Sequence, residues 1–140
     1  MSMVLDSSVT LAWVYAEKTT PAILDVLERI SDTGAWVPSL WPLEVANILE
    51  MGVRRNRHDA AFCDATLADL ALLPINIDQD TARHAWGATL HMAQRHRLTL
   101  YDAAYLELAL RRGLPLATLD MDLLTAANAE DVPLMGMEQK

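Results

Sequence analysis

Two kinds of apolar pattern alternate along this chain. Short apolar runs of strand type occur at Met3-Val4-Leu5, Ala35-Trp36-Val37, Ile75-Asn76-Ile77, Leu114 to Leu119, and Val132-Pro133-Leu134-Met135. Between them apolar residues recur every three or four positions, the period of a helix with one buried face. Val9, Ala12, Trp13 and Ala16 form the first such stripe, with Ser7 or Ser8 as its cap. Ile23, Val26, Leu27 and Ile30 form the second, opened by Thr20-Pro21 and closed by Gly34. A third helix begins at Ser39 or Trp41, with Pro42 in its first turn. It continues through Val45, Ile48, Leu49 and Gly52 and frays at Arg54-Arg55-Asn56. The pattern predicts a fourth helix from about Asp59 to Leu73, stopped by Pro74. A long amphipathic helix follows from Asp80 to about Arg97, then a turn or short strand at Leu98-Thr99-Leu100. A last helix spans Tyr101 to Arg112 and ends at Gly113.

Strands that alternate with helices predict an α/β fold with a mostly parallel sheet. No repeat, low-complexity stretch or linker interrupts the pattern, so residues 1–140 read as one domain. The chain is 52% hydrophobic, enough to bury a core and too apolar for disorder. Its single cysteine, Cys63, excludes an intrachain disulfide and is expected as a buried, inert thiol. No charged leader with a long apolar run precedes Asp6, and no stretch of about 18 apolar residues occurs. The expected location is therefore a reducing cytoplasm, without membrane contact.

The formal net charge of −8 argues against binding nucleic acid through a broadly basic surface. It leaves open a binder that reaches phosphate through a bound metal. The cations are grouped as Arg54, Arg55 and Arg57, as Arg95 and Arg97, and as Arg111 and Arg112. Each group reads first as helix C-terminal charge that complements the macrodipole.

Four acids stand out. Asp6 ends the first strand, and Glu44 lies in the first turn of the helix after the second. Asp102 opens a helix, and Asp120 ends the strand that follows. The interval between Asp102 and Asp120 holds one helix running away from a sheet edge and one strand running back. All four are thus expected at the carboxyl edge of the sheet, where open α/β folds place their functional crevice. The helix dipole alone accounts for Glu44 or Asp102 taken singly, but poorly for Asp6 and Asp120. Four carboxylates together call for a cation, and oxygen-only ligands select a hard ion such as Mg²⁺ or Mn²⁺.

These segments resemble a known family. Val4-Leu5-Asp6-Ser7-Ser8-Val9, Pro42-Leu43-Glu44-Val45-Ala46-Asn47, Leu98 to Leu106 around Asp102, and Leu116 to Leu123 around Asp120 are similar, in order, to the four motifs of PIN domains. Within that family the chain most resembles VapC-type toxins of type II toxin–antitoxin pairs. The resemblance covers nearly the whole chain and implies a three-layer α/β/α fold with a five-stranded sheet. It implies a metal-dependent endoribonuclease with Mg²⁺ or Mn²⁺ on Asp6, Asp102 and Asp120, and Glu44 completing the catalytic acids. Ser7 and Thr118 match supporting hydroxyl positions, and Asp122 is a further supporting acid or a cap. The implied partners are an RNA substrate, a cognate antitoxin protein and a second copy of the chain. Arg54, Arg55 and Arg57 are candidates for reaching RNA.

Other constellations compete less well. His84, His91 and His96 share one helix at spacings that do not converge on a metal, and they are expected to be exposed. Asp120-Met121-Asp122 resembles the opening of aspartyl-phosphate phosphatases, but it lies on the wrong strand and Leu124 breaks the pattern. No Gly-x-Ser-x-Gly occurs for a serine hydrolase. The alternative from another class is a non-catalytic, cation-binding interaction module of the same fold. Trp13, Trp36 and Trp41, with Tyr15, Ile23, Leu27, Leu43 and Met51, are expected to leave apolar surface for a dimer and an antitoxin helix.

Overall fold

The structure is a computed structural model that describes residues 2–15 and 18–136. Ala16, expected in the first helical stripe, lies outside the described residues. Five short strands form one sheet: β1 (Val4–Leu5), β2 (Ala35–Val37), β3 (Ile75–Ile77), β4 (Leu116–Ala117) and β5 (Leu134–Met135). Their order is β3-β2-β1-β4-β5, and every neighbouring pair is parallel. Parallel neighbours need crossovers, and helices supply them in three-layer α/β/α fashion. β1 lies at the centre, with Val4 opposite both Trp36 and Leu116.

The helix ends follow the local chemistry. Between β1 and β2 run α1 (Ser7–Val14) and α2 (Pro21–Thr33). Thr20 caps α2 by accepting the Ile23 N–H at 3.2 Å, and Pro21 takes the first position, where no N–H is needed. Gly34 closes α2 at φ 77°, a conformation costly for residues with a Cβ. After β2 come α3 (Trp41–Arg54) and α4 (Ala60–Ala71), with Asp59 capping the latter through the Phe62 N–H at 2.8 Å.

The segment after β3 differs from the single long helix that its pattern predicts. It is α5 (Thr81–His84), a wide π-type stretch (Ala85–Thr89) and α6 (Leu90–His96), broken at Gly87 (φ −109°, ψ −107°). Glycine permits that backbone, and the break throws Trp86 outward to 90% exposure. Leu98-Thr99-Leu100 forms no strand, because Thr99 caps α7 (Leu100–Arg112). The predicted strand from Leu114 to Leu119 contracts to two residues, and an unexpected helix, α8 (Met121–Ala129), follows Asp120.

The core gathers Val4 and Leu5 of the central strand and the preceding Met3 with Ile23, Ile30, Leu49 and Leu106. Within α7, Ala103 to Ala109 are buried without interruption, so this helix has no solvent face in its middle. That run includes Glu107. Arg111 reaches back one turn to Glu107 (Nε–Oε2 2.8 Å) and across to Asp78 (Nη2–Oδ2 2.6 Å, Nη1–Oδ1 3.1 Å). Arg111 is therefore part of a buried ion network, not a solvated charge at a helix end. Arg112 lies 3.4 Å above the Trp36 ring. Cys63 is only partly buried, because α4 buries none of its residues completely. Among the described residues no helix is long and apolar enough to cross a membrane.

Candidate active site

The turns at the carboxyl ends of β1 and β4 set two of the four acids. Asp6 leaves β1 in extended geometry and precedes the first residue of α1, while its side chain stays almost wholly buried. Asp120 caps α8, its carboxylate accepting the Leu123 N–H at 2.9 Å, rather than ending β4. Glu44 sits in the first turn of α3, and Asp102 in the first turn of α7 behind the Thr99 cap. The charges feel one another: Asp6 with Asp120, Glu44 with Asp6 and Asp102, and Asp102 with Asp120, Asp6 and Asp122. The sheet thus assembles residues up to 114 positions apart into one acidic neighbourhood, as a parallel sheet with helical crossovers requires.

Crowding and burial make ionisation costly there. Burial is the main cause that lifts the Asp6 carboxyl above its ordinary range, with the Asp120 charge adding to it. Burial also raises Glu44, and the Asp6 and Asp102 charges raise it further. Asp102 is pushed up to about 6 by burial first, then by Asp120 and Asp6.

Hydroxyl groups offset part of that cost. Asp6 Oδ2 accepts from Ser8 Oγ at 2.7 Å and from Thr118 Oγ1 at 2.8 Å. Backbone groups of the turn after β4 orient both donors: Leu119 N–H donates to Ser8 (2.9 Å) and Asp120 N–H to Thr118 (3.0 Å). Ser7 lies beside Asp6 Oδ1 at 3.5 Å. Ser8 was expected only as a possible helix cap; its side chain makes no cap bond and belongs to the acid instead. Tyr105 is the second residue that the motifs alone did not mark. Its hydroxyl donates to Glu44 Oε1 at 2.5 Å. The available signal was its place one helical turn beyond Asp102, on the same face.

Several expected participants lie elsewhere. Arg54 closes α3 at the end opposite Glu44, roughly 15 Å away along the axis at 1.5 Å per residue. It pairs with Glu50, and Arg57 lies over Tyr15. His96 is not exposed: it meets Glu130 at 2.8 Å, beside Arg95. Trp41 is buried with its Nε1–H on Thr10 (3.2 Å), Trp13 donates to the Ile23 carbonyl (2.9 Å), and Trp36 lies under Arg112. Tyr15 and Ile23 are core as well. Of the side chains expected to leave apolar surface, Leu43 is exposed, and Trp13, Trp41 and Leu27 do so only as the walls of grooves.

The donor set suits a hard divalent cation, being anionic and made of oxygen alone. Burial first, and then their mutual charge, raises the carboxyls of Asp6, Glu44 and Asp102, and a cation would offset both costs. Among the described residues no three acids, histidines or cysteines already stand close enough to share one ion. The carboxylates ring the edge without closing into a ligand sphere.

Known proteins share this architecture. The structure of PAE2754 from Pyrobaculum aerophilum superposes with a TM-score of 0.67 at 24% identity, covering 90% of this chain and 79% of that one. VapBC2 from Rickettsia felis, bound to a DNA fragment from their promoter, gives a TM-score of 0.65 at 12% identity, covering 96% of this chain and 97% of that one. Likeness at these identities is likeness of fold. No curated protein matches the chain in sequence. The PIN domain family model matches residues 3–129, a span that takes in all four acids, their hydroxyl partners and every strand but β5, and by that match the chain belongs to the PIN domain family.

Proposed function

We propose that this chain is a Mg²⁺- or Mn²⁺-dependent endoribonuclease that acts as the toxin of a toxin–antitoxin pair. The observation that carries the reading is the meeting of Asp6, Glu44, Asp102 and Asp120 at one sheet edge. PIN domains are generally nucleases. Asp6, Asp102 and Asp120 would hold the cation, which supplies Lewis-acid polarisation of the phosphoryl group and a more acidic attacking water. Ser8 and Thr118 keep the Asp6 carboxylate oriented, and Ser7 and Asp122 stand beside the site. Glu44, whose carboxyl burial raises above its ordinary range, is the acid left to accept a proton from that water. The water oxygen bonds to phosphorus as the bond to the leaving ribose oxygen breaks.

The side chains bordering the acids suit RNA bases better than RNA phosphates. Leu43, Tyr101, Leu119 and Met121 each adjoin one of the acids in sequence and are exposed. An aromatic ring there can stack with a base, a contact indifferent to the −8 charge. Arg54, Arg55 and Arg57 are left a role only well away from the acids.

An antitoxin finds support in the apolar surface around α4. Two grooves flank this helix, of about 420 Å³ beside Trp13, Leu27 and Phe62, and about 230 Å³ beside Trp41, Leu67 and Ile75. Grooves of this kind take the apolar face of a helix, and the Rickettsia felis likeness is to a VapBC complex. The extruded Trp86 supports a homodimer, since so large an apolar group in water favours a partner surface. We place the protein in the cytoplasm as a single domain.

The deciding experiment incubates the protein with structured and linear RNAs, with Mg²⁺ or Mn²⁺ and with chelator. Cleavage that needs the ion and vanishes in Asp102→Asn is the expected result. Cation binding without cleavage of any RNA would leave the interaction module as the better reading. A monomer at micromolar concentration in the ultracentrifuge removes the dimer.

A further inference from the structure

Glu44 is held by a residue of the Asp102 segment, Tyr105, to which the sequence alone assigned no role. Its carboxylate lies in the first turn of α3, half-exposed, facing the charges of Asp6 and Asp102. A glutamate there has three free torsions and two like charges pushing it outward. Left alone, it would gain both rotamer freedom and hydration by swinging into solvent. The Tyr105 hydroxyl prevents this across 2.5 Å. Tyr105 is wholly buried in the part of α7 that has no solvent face, so its ring is fixed by packing on all sides. A buried hydroxyl must find an acceptor. This one spends its donor on an acid from another helix, 61 residues away in sequence. Burial holds the phenol proton far above its ordinary range, so Tyr105 stays a donor. Ser7 stands beside the same acids, its hydroxyl 3.5 Å from Asp6 Oδ1.

We propose that Tyr105 is a positioning residue: by occupying Glu44 Oε1 it keeps the Glu44 carboxylate turned toward the acidic edge, where its charge adds to the binding of the cation held by Asp6, Asp102 and Asp120. The inference rests on the metal-dependent reading above, and it concerns how Glu44 is presented, not whether RNA is cut. Outer partners of this kind commonly change metal affinity by about ten- to a hundredfold.

The test is a Mn²⁺ titration followed by the electron paramagnetic resonance of the free ion. It compares the wild type, Tyr105→Phe, Glu44→Gln and the double variant, with melting curves in chelator as a check of folding. Tyr105→Phe keeps the ring and removes one oxygen. We expect it to bind Mn²⁺ about tenfold more weakly, Glu44→Gln at least as weakly, and the double variant no more weakly than Glu44→Gln alone. A purely structural tyrosine would instead weaken the double variant further, since independent effects add. Wild-type affinity in Tyr105→Phe, or additive losses in the double variant, overturns the inference and leaves the nuclease reading standing. Should Tyr105→Phe be too unstable to titrate at room temperature, the four proteins are titrated in the cold with glycerol, where the same outcomes decide. Absence of Mn²⁺ binding by the wild type removes the metal-dependent reading and this inference together.

Discussion

Thr118 donates its hydroxyl to Asp6 Oδ2 at 2.8 Å and accepts the Asp120 N–H at 3.0 Å on the same oxygen. One buried side chain thereby ties the acid of β1 to the acid that begins α8. Thr118→Val preserves the shape and removes both bonds. It should cost about 1–3 kcal/mol, the penalty for a buried polar group stripped of its partner. Urea unfolding at pH 7 without metal measures it, and an unchanged midpoint would show that Ser8 alone satisfies Asp6.

Asp102→Asn should behave in the opposite sense. Burial first, then the charges of Asp120 and Asp6, hold the wild-type carboxyl at about 6. Removing its charge relieves repulsion, so the metal-free variant should melt no lower than wild type at pH 7. Its RNA cleavage should fall by at least about a hundredfold. Cleavage at the wild-type rate, with metal-free controls blank, would sink the assignment of this residue.

The same crowding sets a pH dependence. Asp6, Glu44 and Asp102 bind protons more tightly folded than unfolded. Between about 4 and 6 the folded chain therefore holds the extra protons, and stability falls as pH rises through that window. Asp78 is shifted downward: burial raises it, but the Arg111 and Thr81 hydrogen bonds outweigh burial. Its contribution is lost only in stronger acid. The metal-free melting temperature should accordingly be higher at pH 5 than at pH 7.5, with a smaller difference in Asp102→Asn. A melting temperature that climbs with pH contradicts this assignment of charge.

Arg111→Leu addresses the other end of α7. It would strand the nearly inaccessible Glu107 without its counter-charge and leave buried Asp78 only the longer contact to Arg112 at 3.7 Å. Breaking a buried pair in this way costs about 3–5 kcal/mol. Calorimetry should show a large fall in melting temperature, while any folded fraction keeps its cation affinity. A shift of only a degree or two would mean that water reaches these acids.

The parts of the fold that were legible in the sequence depend on neighbours along the chain. Thr20-Pro21, Asp59, Gly34 and Gly113 mark helix ends by local hydrogen bonding and backbone preference, and the structure uses each of them so. The four acids were legible because each sits beside a strand or helix end. What was missed is settled across the fold. Asp120 was read as the end of a strand, although Leu123, Ala126 and Ala127 at helical spacing make it the cap of α8. Gly87 interrupts a stripe whose period alone looks continuous. Arg111 reads as a solvated helix end until its pairing with Asp78, 33 residues earlier, buries it. Glu44 and Tyr105 meet only once two helices are packed. Apolar composition did not say that Trp41 would be core and Trp86 bare.

The unbroken burial of α7 from Ala103 to Ala109 has a kinetic consequence. Amide hydrogens in such a segment exchange with solvent only when the whole molecule opens, not through local breathing. Tyr105 rides on that slow segment and Asp102 immediately precedes it, so the floor of the acidic edge rests on the slowest-opening part of α7. An inhibitor that binds faster than this cannot work by bending the floor. It has to close the mouth from outside, at the exposed side chains of Leu43, Tyr101 and Met121, and its release restores the edge without any refolding.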